Sequence, residues 1–166
     1  MRHLALRLLR VKATYSLASD EMLRRGGVIV CANHVSLLDG VIIALASPYP
    51  LTFGVDTDFS RRSRTAILGM SALSWMGFGN IVPIDSSSPF GLRSLLRSLE
   101  RGRSVMLFPE GQISANGEPQ PERPGIAWLA RLTQAPVLRL QISGAERSRL
   151  FAKAGTEFWP RITIVF

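Results

Sequence analysis

Several features that commonly reveal a protein's class are scarce or missing in this sequence. Its 166 residues include one cysteine, which rules out an internal disulfide and a thiolate cluster for a metal. The longest apolar run, residues 41–46, ends at Ser47 and Pro48, far short of the roughly 18 to 20 residues that an ordinary membrane-spanning helix needs. The single Cys31 lies in an apolar run, where we expect a buried, inert thiol. The scarcity of cysteine fits a protein on the cytosolic side of a membrane.

Negative charge is also scarce, with 12 Asp and Glu against 20 Lys and Arg, which gives a net charge of +8. This balance favours an anionic partner: nucleic acid, membrane phosphate or an acidic carrier protein. No recognisable nucleic-acid-binding motif accompanies the charge, so we expect no nucleic-acid partner.

The length suits one compact domain with a core and is too short for two.

Half of the net charge falls within residues 1–25, where basic residues alternate with apolar ones. The basic residues are Arg2, Arg7, Arg10, Lys12, Arg24 and Arg25, and the apolar ones among them are Leu4, Leu6, Leu8, Leu9, Val11 and Leu17. Two interpretations stay open. One is an amphipathic helix that lies on an anionic membrane leaflet, and the other is an ordinary terminal helix with a solvated basic face. The first predicts that residues 1–25 associate with a membrane.

Short β-rich runs alternate with helical patterns along the rest of the chain. Strands are predicted over 28–32, 51–55, 80–83, 104–108, 136–143 and 161–166. Helices are predicted over 36–46, 63–76, 88–101 and 126–134. This alternation predicts a single α/β domain with a mostly parallel or mixed sheet flanked by helices.

Two of these segments carry sharper signals. In the helix over 88–101, Ser88 is the expected N-cap and Pro89 the first helical residue, followed by a leucine stripe and by Gly102 just past the end. The stripe consists of Leu92, Leu95, Leu96 and Leu99. The closing apolar run, 162–166, is typical of a final edge strand or of a domain cut from a longer protein.

The first candidate for chemistry is the turn after the predicted strand 28–32. His34 stands at the start of this turn, and Asp39 follows five residues later in the first turns of a helix. The helix can fold back so that the carboxylate reaches one ring nitrogen, which leaves the other nitrogen facing a pocket as a general base for an alcohol. The spacing alone is equally compatible with a structural histidine whose hydrogen bonds are satisfied at the start of a helix.

The second candidate is the turn formed by Phe108, Pro109, Glu110 and Gly111 after another apolar strand. An acid between Pro and Gly at a strand end is rigidly placed, although a helix cap or a salt bridge would use it in the same way. In α/β folds, active residues gather on loops at the carboxyl ends of strands, where both turns belong.

Taken together, the two motifs resemble the glycerolipid acyltransferase family, of which the lysophosphatidic acid acyltransferases are the best-known members. The sequence has Asn-His-x-x-x-x-Asp at 33–39 and Phe-Pro-Glu-Gly at 108–111, with Glu110 76 residues after His34. The segments 79–85 and 135–140 resemble the family's third and fourth blocks. The resemblance spans roughly residues 25–145, and it implies an acyltransferase domain over residues 26–166.

The resemblance also implies a role for each matching residue. His34 takes the proton from the acceptor hydroxyl, Asp39 orients the ring and supports its charge, and the hydroxyl attacks an acyl thioester directly. The substrate-binding residues that it implies are Asn33, Asn80, Asp85, Phe108, Pro109, Glu110 and Gly111. The N-terminus of the helix after His34 is a further candidate for stabilising developing negative charge. No cofactor or metal is implied, and acyl-CoA or acyl-carrier protein is the co-substrate.

The sequence departs from the family pattern at two places where a cation is common. Gln112 and Ile113 follow the Phe-Pro-Glu-Gly motif, where many members have Arg or Thr-Arg, and Ser86 follows Asp85, where Arg is frequent. Candidate replacements for these phosphate-binding cations are Arg61, Arg62, Arg64 and Arg123; of these, Arg123 is the one we take as a substrate-binding residue.

Within the family, residues 33–40 and 82–85 look closest to the branch that reacylates lysophosphatidylethanolamine, and lysophosphatidic acid stays open as the acceptor. Members of that branch can be fused to an acyl-carrier-protein ligase, so a fused or separate ligase is a predicted partner. We expect a peripheral protein on the cytoplasmic face of a membrane that moves an acyl group onto a lysophospholipid. A catalytically weak lipid-binding module of the same fold is the alternative. The apolar segment 67–78 is a candidate acyl groove or lipid contact, or else a buried core helix.

Overall fold

A computed structural model describes residues 2–56, 77, 79–84, 92–118 and 120–166 of the chain. The strands in these ranges are β1 (Val11–Thr14), β2 (Ile29–Ala32), β3 (Leu51–Asp56), β4 (Gly79–Ile84), β5 (Val105–Leu107), β6 (Val137–Ser143) and β7 (Ile162–Val165). The helices are α1 (Arg2–Leu8), α2 (Leu17–Arg25), α3 (Asp39–Ala46), α4 (Arg93–Glu100) and α5 (Gly125–Thr133), with a short 3-10 turn at Ala145–Arg147. Each of the six predicted strands is present to within one residue at either end.

The strands form one sheet in the order β1-β7-β6-β2-β5-β3-β4. Neighbouring strands run parallel, except that β6 and β7 are antiparallel. The predicted class, a single α/β domain with a mostly parallel sheet, is therefore confirmed. The catalytic motifs follow β2 and β5, which lie side by side near the middle of the sheet.

The N-terminal 25 residues are not one helix, and the expectation that they form one is wrong. They fold as α1, β1 and α2, and β1 pairs in parallel with β7 through Val11 and Ile162. Arg10, with φ of 55°, ends the first helix in a left-handed conformation. The strand β1 could not be recognised from local sequence, because its partner β7 lies about 150 residues away along the chain. The edge strand on this side is β1, and the closing run that we predicted as an edge strand is β7, one place further in.

Helices cover both faces of the sheet, and β2 separates two apolar clusters. Val28, Val30 and Ala32 face the cluster that includes residues of α1, α2 and α3. Ile29 and Cys31 face the cluster built with α4 and α5. Because successive side chains of a strand point to opposite faces, a strand buried on both sides is apolar throughout, as β2 is. This burial fixes the register of the strand from which His34 emerges.

The helical predictions fare well where the structure describes them. In α4, Leu95 and Leu99 are buried, and Gly102 ends the helix with φ of 72° and an N–H bond to the Leu99 carbonyl at 2.8 Å. Residue 36 does not begin α3, which starts at Asp39. The predicted start at Ser88 and Pro89, the helix over 63–76 and the apolar segment 67–78, apart from Gly77, lie outside the described residues. Among the helices that are described, none has the length and apolar character to cross a membrane.

Candidate active site

The two motif-bearing loops leave the sheet at the same edge, because β2 and β5 are adjacent and parallel. Cys31 pairs with Leu107 in the last register position of these strands, so the chain continues into the two loops side by side. The backbone N–H of His34 donates to Oε1 of Glu110 across a 3.4 Å gap. Residues 76 positions apart in the sequence are thus direct neighbours.

His34 is held on two sides. Its Nδ1 lies 3.0 Å from Oδ2 of Asp39, and its ring stacks on Phe108 with a centroid distance of 3.9 Å and an interplanar angle of 13°. The side chain is 14% exposed. Its Nε2 makes no hydrogen bond with any of the residues that the structure describes. One nitrogen is therefore engaged by the carboxylate, while the other is left for a substrate.

Asp39 is completely buried and sits at the centre of a closed set of hydrogen bonds. Its Oδ2 accepts from the backbone N–H of Val35 at 2.7 Å and of Ser36 at 2.8 Å. Its Oδ1 accepts from the Ser36 hydroxyl at 2.7 Å. An ionised carboxylate only accepts hydrogen bonds, so the His34 Nδ1 beside it carries the proton and Nε2 presents a lone pair. This is the arrangement that a general base for an alcohol requires.

The amides of the turn from His34 to Leu38, which leads into α3, are all engaged within the protein, and the role of the helix start itself in stabilising negative charge stays a prediction. The amides of Val35 and Ser36 bind Asp39, and that of His34 binds Glu110. The amide of Leu37 donates to the Phe151 carbonyl, and the amide of Leu38 donates to the Ser36 hydroxyl. Because every amide from residue 34 to 38 is occupied, this turn serves to hold Asp39 and His34.

Glu110 differs from Asp39 in that one of its oxygens is unused. Its side chain is 6% exposed, and Oε2 is buried with no hydrogen-bond partner among the described residues. A buried polar atom without a partner is costly and calls for an explanation. A substrate hydroxyl or another donor placed against Oε2 would supply the missing bond.

Arg123 lies directly against the Phe-Pro-Glu-Gly turn. Its backbone N–H donates to the Pro109 carbonyl at 2.9 Å, and a Cβ built on Gly111 would fall 2.5 Å from its Nε. Gly111 also has φ of 71°, a left-handed conformation that favours glycine. Among the described residues no carboxylate forms an ion pair with Arg123, whereas the neighbouring Glu122 pairs with Arg139. The guanidinium stands close to where the family often has a cation from the motif itself.

The remaining predicted residues are placed differently. Asn33 uses its amide to bind the backbone of Ile142 in β6, donating at 2.8 Å and accepting at 2.8 Å, so it fastens the histidine loop to the neighbouring strand. Pro109 is buried within its turn. Asn80 lies at the start of β4, level with Thr52 and therefore towards the opposite edge. Its position gives no support to a head-group contact. Asp85 lies outside the described residues.

Ser36 is a site residue to which the sequence analysis gave no role. It is 1% exposed and binds both oxygens of Asp39, one through its hydroxyl and one through its N–H. The signal was present as Ser-x-x-Asp immediately before an apolar run, which is the pattern of a capping box.

Cys31 takes no part in this chemistry. The thiol is buried in β2, and burial raises its pKa to about 12. A thiolate is the reactive form of cysteine, so this side chain stays protonated and inert at neutral pH. The expectation of a buried, inert thiol is confirmed.

The family match covers both loops. The acyltransferase family model matches residues 16–143, more than half of the chain. The chain belongs to the acyltransferase family. Over 122 residues the chain is 26% identical to 1-acyl-sn-glycerol-3-phosphate acyltransferase BAT2, chloroplastic, of Brassica napus, and the match covers 70% of this chain and 33% of that protein. The chain thus spans about a third of the length of this curated relative.

A solved structure shares the fold of the chain. The crystal structure of PlsC, the 1-acyl-sn-glycerophosphate (LPA) acyltransferase of Thermotoga maritima, matches with a TM-score of 0.64 at 20% identity. The match covers 99% of this chain and 63% of that one. It extends over the whole sheet, including β1 and β7, which lie outside the span of the family match.

Proposed function

We propose that this acyltransferase moves an acyl group from a thioester donor to the free hydroxyl of a lysophospholipid. The observation that carries the proposal is the His34–Asp39 pair, whose free Nε2 lies at the sheet edge that also carries Glu110 and Arg123. The curated relative is named for action on 1-acyl-sn-glycerol-3-phosphate, which supports an acceptor of this chemical class.

The residues assign the steps of a direct transfer. Nε2 of His34 removes the proton of the acceptor hydroxyl as its oxygen attacks the thioester carbonyl carbon. Asp39 stabilises the imidazolium that forms, since its carboxylate is 3.0 Å from Nδ1. Collapse of the tetrahedral intermediate expels the thiolate of the donor, and the imidazolium can return the proton to this leaving group. No protein nucleophile is required.

Glu110 and Arg123 are the groups that we assign to the acceptor. The free Oε2 of Glu110 accepts from a hydroxyl or amine of the acceptor, and the Arg123 guanidinium binds its phosphate. Lysophosphatidic acid and lysophosphatidylethanolamine both carry a phosphate, so Arg123 serves either one. The ethanolamine ammonium adds a donor that a buried carboxylate would favour, which keeps the lysophosphatidylethanolamine hypothesis in place.

The setting of the reaction follows from its substrates. A lysophospholipid resides in a membrane, so the proposal includes a peripheral position on an anionic surface, on the cytoplasmic side where acyl-CoA and acyl-carrier protein are found. Either thioester is a candidate donor. If the donor is a carrier protein, a ligase that loads it, fused or separate, is a candidate partner.

The test is transfer of a labelled acyl chain by the purified protein. Lysophosphatidic acid, lysophosphatidylethanolamine, lysophosphatidylglycerol and glycerol 3-phosphate are offered in turn, each with acyl-CoA and with acyl-carrier protein. We expect a labelled diacyl phospholipid with one or two of the lysolipids and none with His34→Ala. Absence of transfer from every donor to every acceptor by the folded wild-type protein would reject the proposal and favour the lipid-binding alternative.

A further inference from the structure

Exposed apolar side chains stand on two segments that are distant in sequence and meet at the catalytic edge of the sheet. Leu4 and Leu8, one helical turn apart on α1, are 64% and 65% exposed. Phe158 and Trp159, just before β7, are 68% and 40% exposed. Other residues of α1 face the core, where Leu6 is buried. The exposed face of this helix therefore carries leucine where a solvated helix would carry polar residues.

Specific contacts hold the two segments together. The indole N–H of Trp159 donates to the carbonyl of Leu8 at 2.9 Å, and the Arg10 guanidinium donates to the carbonyl of Trp159 at 2.7 Å. The rings of Phe158 and Trp159 lie 6.3 Å apart. We call Leu4, Leu8, Phe158 and Trp159 the apolar patch. The indole hydrogen bond joins Leu8 to Trp159 directly, and Leu4 lies one helical turn before Leu8 on α1.

The sheet topology places the apolar patch beside the active site. Because β7 runs antiparallel to β6, its first residue lies level with the end of β6, and β1 starts at the same level through Val11 and Ile162. This is the edge at which β2 and β5 end. Two strand spacings separate β7 from β2, about 10 Å at the usual spacing.

Positive charge predominates in the two segments that carry the apolar patch. Residues 2–10 hold three arginines and no carboxylate, and residues 144–161 hold four cations and two carboxylates. Both of these carboxylates, Glu146 and Glu157, form ion pairs with the Arg147 guanidinium, at nitrogen–oxygen distances of 4.0 and 3.2 Å. The rest of the segment presents Arg149, Lys153 and Arg161 without a compensating acid in the same stretch. Exposed apolar side chains on segments with an excess of cations complement an anionic bilayer surface, with its acidic head groups over acyl chains.

We infer that the apolar patch inserts into an anionic bilayer and sets the catalytic edge against the membrane. The inference rests on the proposed function, since a lysolipid acceptor must come from that bilayer. It divides the N-terminal segment: the end of α1 and Arg10 lie on the membrane side. The start of α1, where Arg2 donates to the Pro48 carbonyl at 3.3 Å, and α2 lie towards the opposite edge, where β1 ends and β2 begins. Membrane association of residues 1–25 would then belong to their first ten residues.

The primary test is sedimentation with phosphatidylglycerol vesicles and with phosphatidylcholine vesicles. Leu8→Gln combined with Phe158→Ser should weaken binding to the anionic vesicles about tenfold or more, since burial of one large apolar side chain alone is worth about that factor. Leu17→Gln is the matched control: Leu17 is 93% exposed but follows the far end of β1, and its replacement should leave binding unchanged. Circular dichroism and thermal unfolding establish that each variant is folded.

A second measurement reads insertion directly. With Trp75 and Trp128 replaced by Phe, Trp159 is the one tryptophan left, and anionic vesicles with brominated acyl chains should quench its fluorescence. The control is the same protein with brominated phosphatidylcholine vesicles, which should quench the fluorescence of Trp159 much less.

Vesicle binding needs no turnover, so this inference and the proposed function fail separately. The double variant should lose transfer to lysolipid in vesicles while keeping transfer to detergent-dispersed lysolipid. Vesicle binding that survives the double variant, or that Leu17→Gln weakens equally, would overturn the inference. So would a change from dimer to monomer with unaltered vesicle binding, because the patch would then join two copies of the chain.

Discussion

Two buried carboxylates at the catalytic edge, Asp39 and Glu110, are bound in contrasting ways. Asp39 accepts four hydrogen bonds, from one imidazole, two amides and one hydroxyl. Glu110 accepts one, at 3.4 Å, and its second oxygen has no partner among the described residues. A fully satisfied carboxylate fixes a neighbour in place, whereas a carboxylate with a free oxygen is ready for a ligand. This difference suggests that the loop with Asp39 orients the His34 ring and that the loop with Glu110 binds the acceptor.

His34 joins the two carboxylates, so its removal should produce the largest effect. Replacing it with Ala should lower kcat by about 10²- to 10⁴-fold, because the acceptor hydroxyl loses its base. Steady-state transfer kinetics would measure the loss. The matched control is His3→Ala on the exposed face of α1, which should be fully active. Retention of most activity by His34→Ala would remove the imidazole from the mechanism.

Asp39→Asn should come next, with kcat lowered about 100-fold and the acceptor KM nearly unchanged. The amide keeps the shape of the side chain and can still accept from Val35 and Ser36, but it loses the charge that supports the imidazolium. Thermal unfolding should report a folded protein, with stability reduced by about 1 to 3 kcal/mol because hydrogen bonds to a charge are lost. A raised acceptor KM with unchanged kcat would contradict an orienting role.

Glu110→Gln is the same chemical change, from a carboxylate to an amide, in the other loop. It should alter the acceptor KM and not kcat. The side-chain oxygen that accepts from the His34 amide is retained, while the charged, unpartnered oxygen becomes an NH₂ group. We expect the acceptor KM to rise about tenfold, the loss of one hydrogen bond to a charged group, with little change in the donor KM. If the acceptor dependence is unchanged, the free oxygen is not a recognition site.

Arg123→Gln should raise the acceptor KM by about three- to tenfold, since one charge-assisted hydrogen bond to phosphate is lost. The effect should be confined to acceptors that carry a phosphate, which a monoacylglycerol comparison would reveal. Arg131→Gln, an exposed arginine on α5, is the matched control and should be neutral. Equal losses in the two variants would indicate a general effect of charge.

Ser36→Ala should have the smallest kinetic effect, a severalfold fall in kcat. The change removes one of the four bonds to Asp39, a buried contact of 2.7 Å, and should lower stability by about 1 to 2 kcal/mol. Urea unfolding would measure this stability. Combining Ser36→Ala with Asp39→Asn should cost less than the two changes separately, because both act on the same set of hydrogen bonds.

The strand pattern and the two motifs could be predicted from local sequence. A run such as Val28 to Ala32, apolar at every position, predicts a strand buried on both faces whatever surrounds it. The five-residue spacing of His34 and Asp39 is a local property of a turn that enters a helix, so the contact of 3.0 Å could be anticipated. The leucine stripe of α4 and the glycine that ends this helix are local in the same sense.

Tertiary structure decided which distant residues meet. The strand β1 was missed because its hydrogen bonds go to β7, and Val11 alternating with Lys12 looks the same in a basic helix as in an edge strand. Asn33 binds β6, Arg123 packs on Gly111, and Trp159 binds the end of α1, all through contacts between segments far apart in the chain. Local sequence fixes backbone preference and side-chain periodicity over a few residues. The pairing of strands depends instead on the free energy of the assembled sheet, to which every segment contributes.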